Sequence, residues 1–348
     1  MRLIGLWAAE FPRIDAAPHA CPTPWSIRVA VNASPASWLF DVITAPVEVP
    51  VRSGGEVKHV RVPSKKALVA ADTGQVVGIV GKDYRIVTNL EALELCRKLC
   101  TQVFPDSTPA EWELSDASGT KNRSRVALDL KHKTHVMNLW DNPGGISEVH
   151  TPFLRVINSY NGRRALRFDL GFMRKHCSNG VIFEEKVATV TAAHTKDAIE
   201  KLDLAGAVRN FGDLKQRFTA CLGTLRGIAL TDAESLEIVR TVLALPVARE
   251  DLSDRTKEEI EQLDADLAAL DARHRQEIGG NAYAAFNTMT DFATRPPVSF
   301  LVRRDRATLQ GRAGSWLKTF HEAAGRADFS VGDHLKSLRQ GTAKPERR

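Results

Sequence analysis

Residues 153–170 read FLRVINSYNGRRALRFDL, and this stretch decides the fold class. Two runs rich in β-branched and aromatic residues, 153–158 and 165–170, flank Asn161-Gly162. Asn-Gly adopts the positive φ angles that a tight turn between antiparallel strands demands, so the stretch predicts a β-hairpin. Arginines dominate its charges: Arg155, Arg163, Arg164 and Arg167, with Arg174 and Lys175 just beyond.

Outward from the hairpin, residues 40–190 keep the same texture. Strand-like runs recur at 67–71, 75–80, 84–87, 111–114 and 125–130, and Asp72-Thr73-Gly74 is a second turn signal. One helix interrupts them, with Asn89 as its N-cap, Leu90, Leu93, Leu95, Leu99 and Val103 as its apolar face, and Pro105 as its stop. Beyond about residue 195 the pattern turns helical. Ile199, Leu202, Leu204, Val208, Phe211, Leu214 and Phe218 recur at short spacings, and Thr231 with Glu234 forms a capping box. Residues 258–277 form a charge-laced helix with Ile260, Leu263, Leu267 and Leu270 along one side, and 282–293 a further helix ended by Arg295-Pro296-Pro297.

Strands followed by helices predict an α+β fold: an N-terminal antiparallel or mixed sheet with one or more packed helices, then a helical C-terminal region. The expected division is a poorly ordered, proline-rich extension over 1–35, a β-rich core domain with the basic hairpin over 36–195, a helical region over 196–330 and a basic tail over 331–348.

The 348 residues are 43% hydrophobic and 26% charged, enough to bury a sizeable core. Five cysteines, an odd number, and the absence of a secretory pattern favour a reduced cytoplasm over a disulfide scaffold. No stretch approaches the roughly 20 apolar residues of a spanning helix. The net charge of +6 is unevenly placed. Residues 121–175 hold eleven bases against four acids, 231–278 thirteen acids against six bases, and 295–348 twelve bases against five acids. The positive central block either solvates a sheet face and pairs with the acidic helices, or holds an acidic partner. Guanidinium forks suit phosphate oxygens and stack on bases, which favours nucleic acid. Arg163, Arg164 and Arg167 would project from the hairpin. Arg123 and Arg125 alternate on a neighbouring strand, which would put them on one face. Tyr84, Tyr160 and Phe168 are the candidate base-stacking rings, each also a candidate core residue.

Catalytic constellations are weak. Gly78 to Lys82 lacks the length and the Ser/Thr of a phosphate loop. His132, His135, His150, His176 and His194 lack a partner set at ligand spacing, and His132 and His135 would face opposite ways on a strand. Cys177 beside His176 could be an activated thiol, but adjacent residues on a strand point apart. Cys96 and Cys100, four apart on a helix, read as core. The expectation is a chain without cofactor or metal, and not an enzyme.

Five segments carry a family resemblance: LVAADTG at 68–74, VGIVGKDYRIVTN at 77–89, PFLRVINSYNG at 152–162, FMRKHCSNG at 172–180 and NAYAAFNTMTD at 281–291. In this order, over roughly residues 40 to 295, they resemble the phage/plasmid-like protein family, domain of unknown function 932. The resemblance implies a mobile genetic element and no particular activity. The β-then-α order and basic hairpin also look like phage single-strand annealing proteins, in which a basic groove holds single-stranded DNA, often in a ring. The sequence therefore predicts a non-catalytic protein of recombination or replication that binds nucleic acid, single-stranded DNA above all, with homo-oligomers possible. Its contacts would be Arg123, Arg125, Arg155, Arg163, Arg164, Arg167, Arg174 and Lys175. The rival reading is a protein-interaction module, such as an anti-restriction or host-takeover factor, working through the acidic helices.

Overall fold

The computed structural model describes residues 34–342, apart from 54, 142–146, 175–178, 183–188, 201, 203–210, 298, 300, 301, 303 and 305. The extension expected over 1–35 falls almost wholly outside the described residues, as do Lys175, His176 and Cys177.

Alternating β-branched residues build two antiparallel sheets. The smaller has the order β1 (Val42–Ser53), β2 (Glu56–Ala70) and β3 (Val76–Gly81). The larger runs β10 (Thr189–Ala192), β8 (Leu166–Arg174), β7 (Ser147–Ser159), β5 (Arg125–His132), β4 (Trp112–Gly119), with β6 (Met137–Asp141) on β7 and β9 (Asn179–Ile182) on β8. The predicted hairpin is β7–β8, turning at Gly162 with φ +69°. The helices are α1 (Asn89–Val103), α2 (Lys196–Glu200), α3 (Phe211–Gly227), α4 (Asp232–Leu243), α5 (Asp254–Ile278), α6 (Ala282–Thr294), α7 (Arg306–Ala324) and α8 (Val331–Thr342). Sheets followed by helices make the chain α+β, as the sequence predicts.

Cross-strand register sorts the large sheet into rows, because residues that pair across strands share a face. Leu128, Val156 and Phe168 form one apolar row, and Leu130, Leu154 and Leu170 the next. On the opposite face Asp129, Arg155 and Asp169 lie side by side. Helix α1 packs on β5 and β7. It buries Leu93, Cys96, Leu99, Cys100 and Val103, while Leu90 is exposed. Burial raises the Cys100 thiol well above its usual range. The N-cap is Thr88, whose hydroxyl accepts from Glu91 N. Asn89, predicted for that role, is the first helical residue, and its buried amide donates to the Trp38 carbonyl at 2.6 Å. The capping box at Thr231 and Glu234 opens α4 as predicted. One hydrophobic core joins both halves, running from Leu128, Val156 and Phe168 to Phe218, Met289 and Trp316.

Residues 84–87, predicted as a strand, are not one: Tyr84 N turns back to Gly81 O and Arg85 N bonds His194 O. This segment ties the small sheet to the large one. Gly78 of β3 lies so close to the β7–β8 turn that a Cβ there would sit 2.0 Å from the Tyr160 carbonyl oxygen. Tyr84 Oη donates to Ser159 O at 2.6 Å beside it.

Beyond β3, β1 and β2 continue as a two-stranded ribbon in which no described side chain between 46 and 65 is buried. β1 is an edge strand carrying Pro46 and Pro50, a position where proline is tolerated because no neighbouring strand needs its missing N–H.

Candidate nucleic-acid interface

The basic block does not act as one surface. Arg155 lies inside the protein: its Nε and Nη2 donate to both Asp129 carboxylate oxygens at 2.5 and 2.6 Å, and Nη1 donates to Gln310 of α7 at 2.6 Å. Burial opposes its charge, but Asp129, with Asp169 and Asp116, holds the guanidinium firmly protonated. Arg174 is equally enclosed. Its Nε and Nη2 donate to Glu148 at 2.8 Å, Nη2 also bonds Glu277 of α5, and Tyr283 of α6 donates to Glu148 at 2.6 Å. Neither arginine can reach a phosphate, so both are corrected from binding to structural residues. Their signal in the sequence was charge alone, and the acids that neutralise them lie 26 positions away on paired strands or on distant helices.

Arg123 is also corrected. It sits in a turn at φ +55°, two residues before β5 begins at Arg125, so it does not alternate with Arg125 along a strand as predicted. Its Nη1 donates to both Asp72 oxygens at 2.9 and 2.8 Å, and its guanidinium lies 3.6 Å from the Phe40 ring centroid. The ion pair keeps the Asp72 carboxyl below its ordinary value. The three aromatic candidates fail as stacking platforms. Tyr160 and Phe168 are buried in the core, and half-buried Tyr84 already stacks on His194 at 4.8 Å with its hydroxyl bonded.

What remains converges. Arg125 at the start of β5, Arg164 in the hairpin turn, Arg167 of β8 and Arg312 of α7 line one cleft of about 640 Å³ between the large sheet and helices α4, α7 and α8. Register explains the sheet side. Arg167 pairs with Ile157 and Thr191, so all three share the cleft's face, and Asp169 follows two residues on. Asp169 is the lone carboxylate of the lining, and its Oδ1 accepts from Arg167 Nε at 2.7 Å and Thr189 Oγ1 at 2.8 Å. Hydroxyls of Thr241, Thr308, Ser315, Thr319 and Ser337 and the apolar Ile157, Val242, Trp316 and Leu338 complete the wall. Arg312 Nη1 donates to the Val242 carbonyl at 3.0 Å, which anchors that guanidinium between α4 and α7. Burial, with the nearby Arg164 charge, lowers the pKa of Arg125. Two guanidiniums that repel each other on the wall of one cleft favour an anion between them. Arg163 is exposed beside it at the turn.

Sequence reasoning missed Arg312 and the helical hydroxyls. The positive block over 295–348 was the only signal, and nothing local joins it to the hairpin.

Among the described residues no group of three or more His, Cys, Asp or Glu side chains is placed to hold a metal ion, and His176 lies outside them. His132 Nδ1 instead accepts from the backbone N–H groups of Thr134 and His135 at 3.2 and 2.8 Å. Among the described residues no helix is long and apolar enough to cross a membrane.

A family described as a domain of unknown function (DUF932) matches residues 76–312, more than half of the chain. The chain belongs to the DUF932 family. Its matched span contains all four cleft arginines and both buried ones, while β1 and β2 lie outside it. Neither a curated protein nor a solved structure matches this DUF932 chain.

Proposed function

We propose that this DUF932 protein binds nucleic acid, single-stranded DNA in preference to duplex, as a non-catalytic partner in recombination or replication of a mobile element, in the cytoplasm. The observation that carries the reading is the convergence of Arg125, Arg164, Arg167 and Arg312 on one cleft whose single carboxylate, Asp169, accepts through Oδ1 from Arg167 and Thr189. Arginine forks and hydroxyls are the groups that hold phosphate and sugar. A cleft of about 640 Å³ suits a phosphate, its sugar and a base. A double helix is too wide to enter it, which favours a single strand. The mobile-element setting rests on the sequence resemblance.

The test is fluorescence anisotropy with labelled single- and double-stranded oligonucleotides across a salt series. Single-strand affinity that falls steeply with salt, and that Arg164→Glu weakens without altering the far-UV circular dichroism, supports the reading. Salt-insensitive binding, or none at low salt, overturns it. Recovery of a host protein through the exposed acids Glu258 and Glu261 of α5 would favour the protein-interaction reading instead.

A further inference from the structure

We propose that two copies of this chain pair face to face through the outer surface of the β1–β2–β3 sheet, about a two-fold axis that runs their long strands antiparallel. The inference is independent of the arginine cleft.

Alternation along β1 puts Ile43, Ala45, Val47, Val49 and Val51 on one face. Pairing extends that face to Val69 and Val76 beside Ile43, to Ile79 through Ala45 and Ala67, and to Val60 beside Val49. The opposite face at the root of the sheet is turned inward, where Leu68, Ala70, Val77 and Val80 are buried. The outer face is not covered: Ile43, Val49, Val51, Val60, Val76 and Ile79 are each between 42% and 55% exposed. A two-stranded ribbon is marginal without a further layer, and a contiguous apolar patch of this kind marks an interface.

Size and charge both select a second copy as the layer. Twelve residues of β1 span about 40 Å, and two to three strands add roughly 12 Å of width. That gives roughly 500 Å² per copy, and about 1,000 Å² for the pair is the size of a weak, reversible biological interface. On the same face Lys58 pairs with Val51 near the tip, and Asp41 precedes β1 at the root with the same parity. Both are exposed, and neither has an ion pair among the described residues. A two-fold axis across the middle of the face lays each Lys58 over the partner's root, so both charge pairs form at once. Nucleic acid is the poorer occupant. Arg52, His59 and Arg61 pair with Val57, Pro50 and Glu48 and so point from the other face, leaving Lys58 and Lys65 balanced by Asp41 and Glu56 on this one, with no net positive charge among the valines.

The test is light scattering coupled to size exclusion on the full chain, with sedimentation for the dissociation constant. Wild type should weigh twice 38.3 kDa, and Val49→Lys with Val60→Lys should give a monomer with an unchanged circular dichroism spectrum. Lys58→Glu should weaken pairing by about tenfold, and adding Asp41→Lys should restore it. A monomeric wild type at tens of micromolar overturns the proposal, as does failure of the double charge swap to recover affinity. A monomer whose valine variants lose oligonucleotide binding would assign the face to nucleic acid and overturn it too.

Discussion

Arg155 donates two nearly parallel hydrogen bonds, of 2.5 and 2.6 Å, to the carboxylate of Asp129 directly across the β5–β7 ladder. A third bond to Gln310, which in turn donates to Thr294 Oγ1 at 3.1 Å, carries the network into α7 and α6. The most arginine-rich strand pair of the chain thus spends its central arginine on joining sheet to helices.

Removing that arginine leaves Asp129 buried without its counter-charge. Arg155→Ala is expected to destabilise the fold by roughly 3–5 kcal/mol, measured as a shift in urea midpoint. Arg155→Met combined with Asp129→Leu should recover much of the loss. If Arg155→Ala melts like wild type and loses oligonucleotide binding, the arginine is a binding residue after all.

Cleft arginines behave differently. Arg164→Ala should leave the unfolding free energy within about 1 kcal/mol of wild type. It should also flatten the dependence of log affinity on log salt by about 0.7, the contribution of one neutralised phosphate on a single strand. An unchanged slope would remove Arg164 from the interface.

Acid should unfold the protein early. His150 is fully enclosed, with Phe218 edge-on at 5.3 Å, and burial lowers its pKa from 6.5 to about 4 despite neighbouring Glu148. The unfolded chain takes up this proton near pH 6.5 and the folded chain only near 4, so stability falls as pH drops through that window, by about 3 kcal/mol in all. His274, also buried, is shifted the same way. Glu148, held down by Arg174, adds a loss below its unfolded value. Denaturant curves at pH 7, 5.5 and 4.5 read the slope, and His150→Gln should make it shallower.

The Gly78 contact is a backbone-on-backbone approach with no side chain free to yield. Gly78→Ala should therefore cost about 2–3 kcal/mol through overpacking. Gly81→Ala, with open space at its Cβ, should be near neutral. Equal melting temperatures for the two would show that the sheets can slide apart without cost.

The fold was legible where one local signal sufficed. Asn161-Gly162 marked the β7–β8 hairpin, Thr231 with Glu234 opened α4, and the leucine spacing along 258–277 set the buried side of α5. Local signals could not say which arginines face inward. Arg155 and Arg167 sit on neighbouring strands with similar surroundings in sequence. Arg155 meets Asp129 and α7, and Arg167 opens onto the cleft, and only the assembled helices separate them. The ribbon was missed for the opposite reason. Its alternation over 42–52 is regular, but two prolines in one short run argue against a strand unless the strand is known to lie at an edge.

Those prolines have a consequence for how the protein can assemble. A fourth strand adding beside β1 would meet no donor at Pro46 or Pro50, so lateral polymerisation of a valine-rich sheet is interrupted at two points. Contact is steered to the flat of the sheet, where a pair of copies consumes the sticky surface and leaves none for a third. With the proposed face-to-face pair, a chain that exposes this much aliphatic β-surface would close into a finite particle rather than a fibre, and replacing both prolines with threonine should make it prone to aggregate on storage.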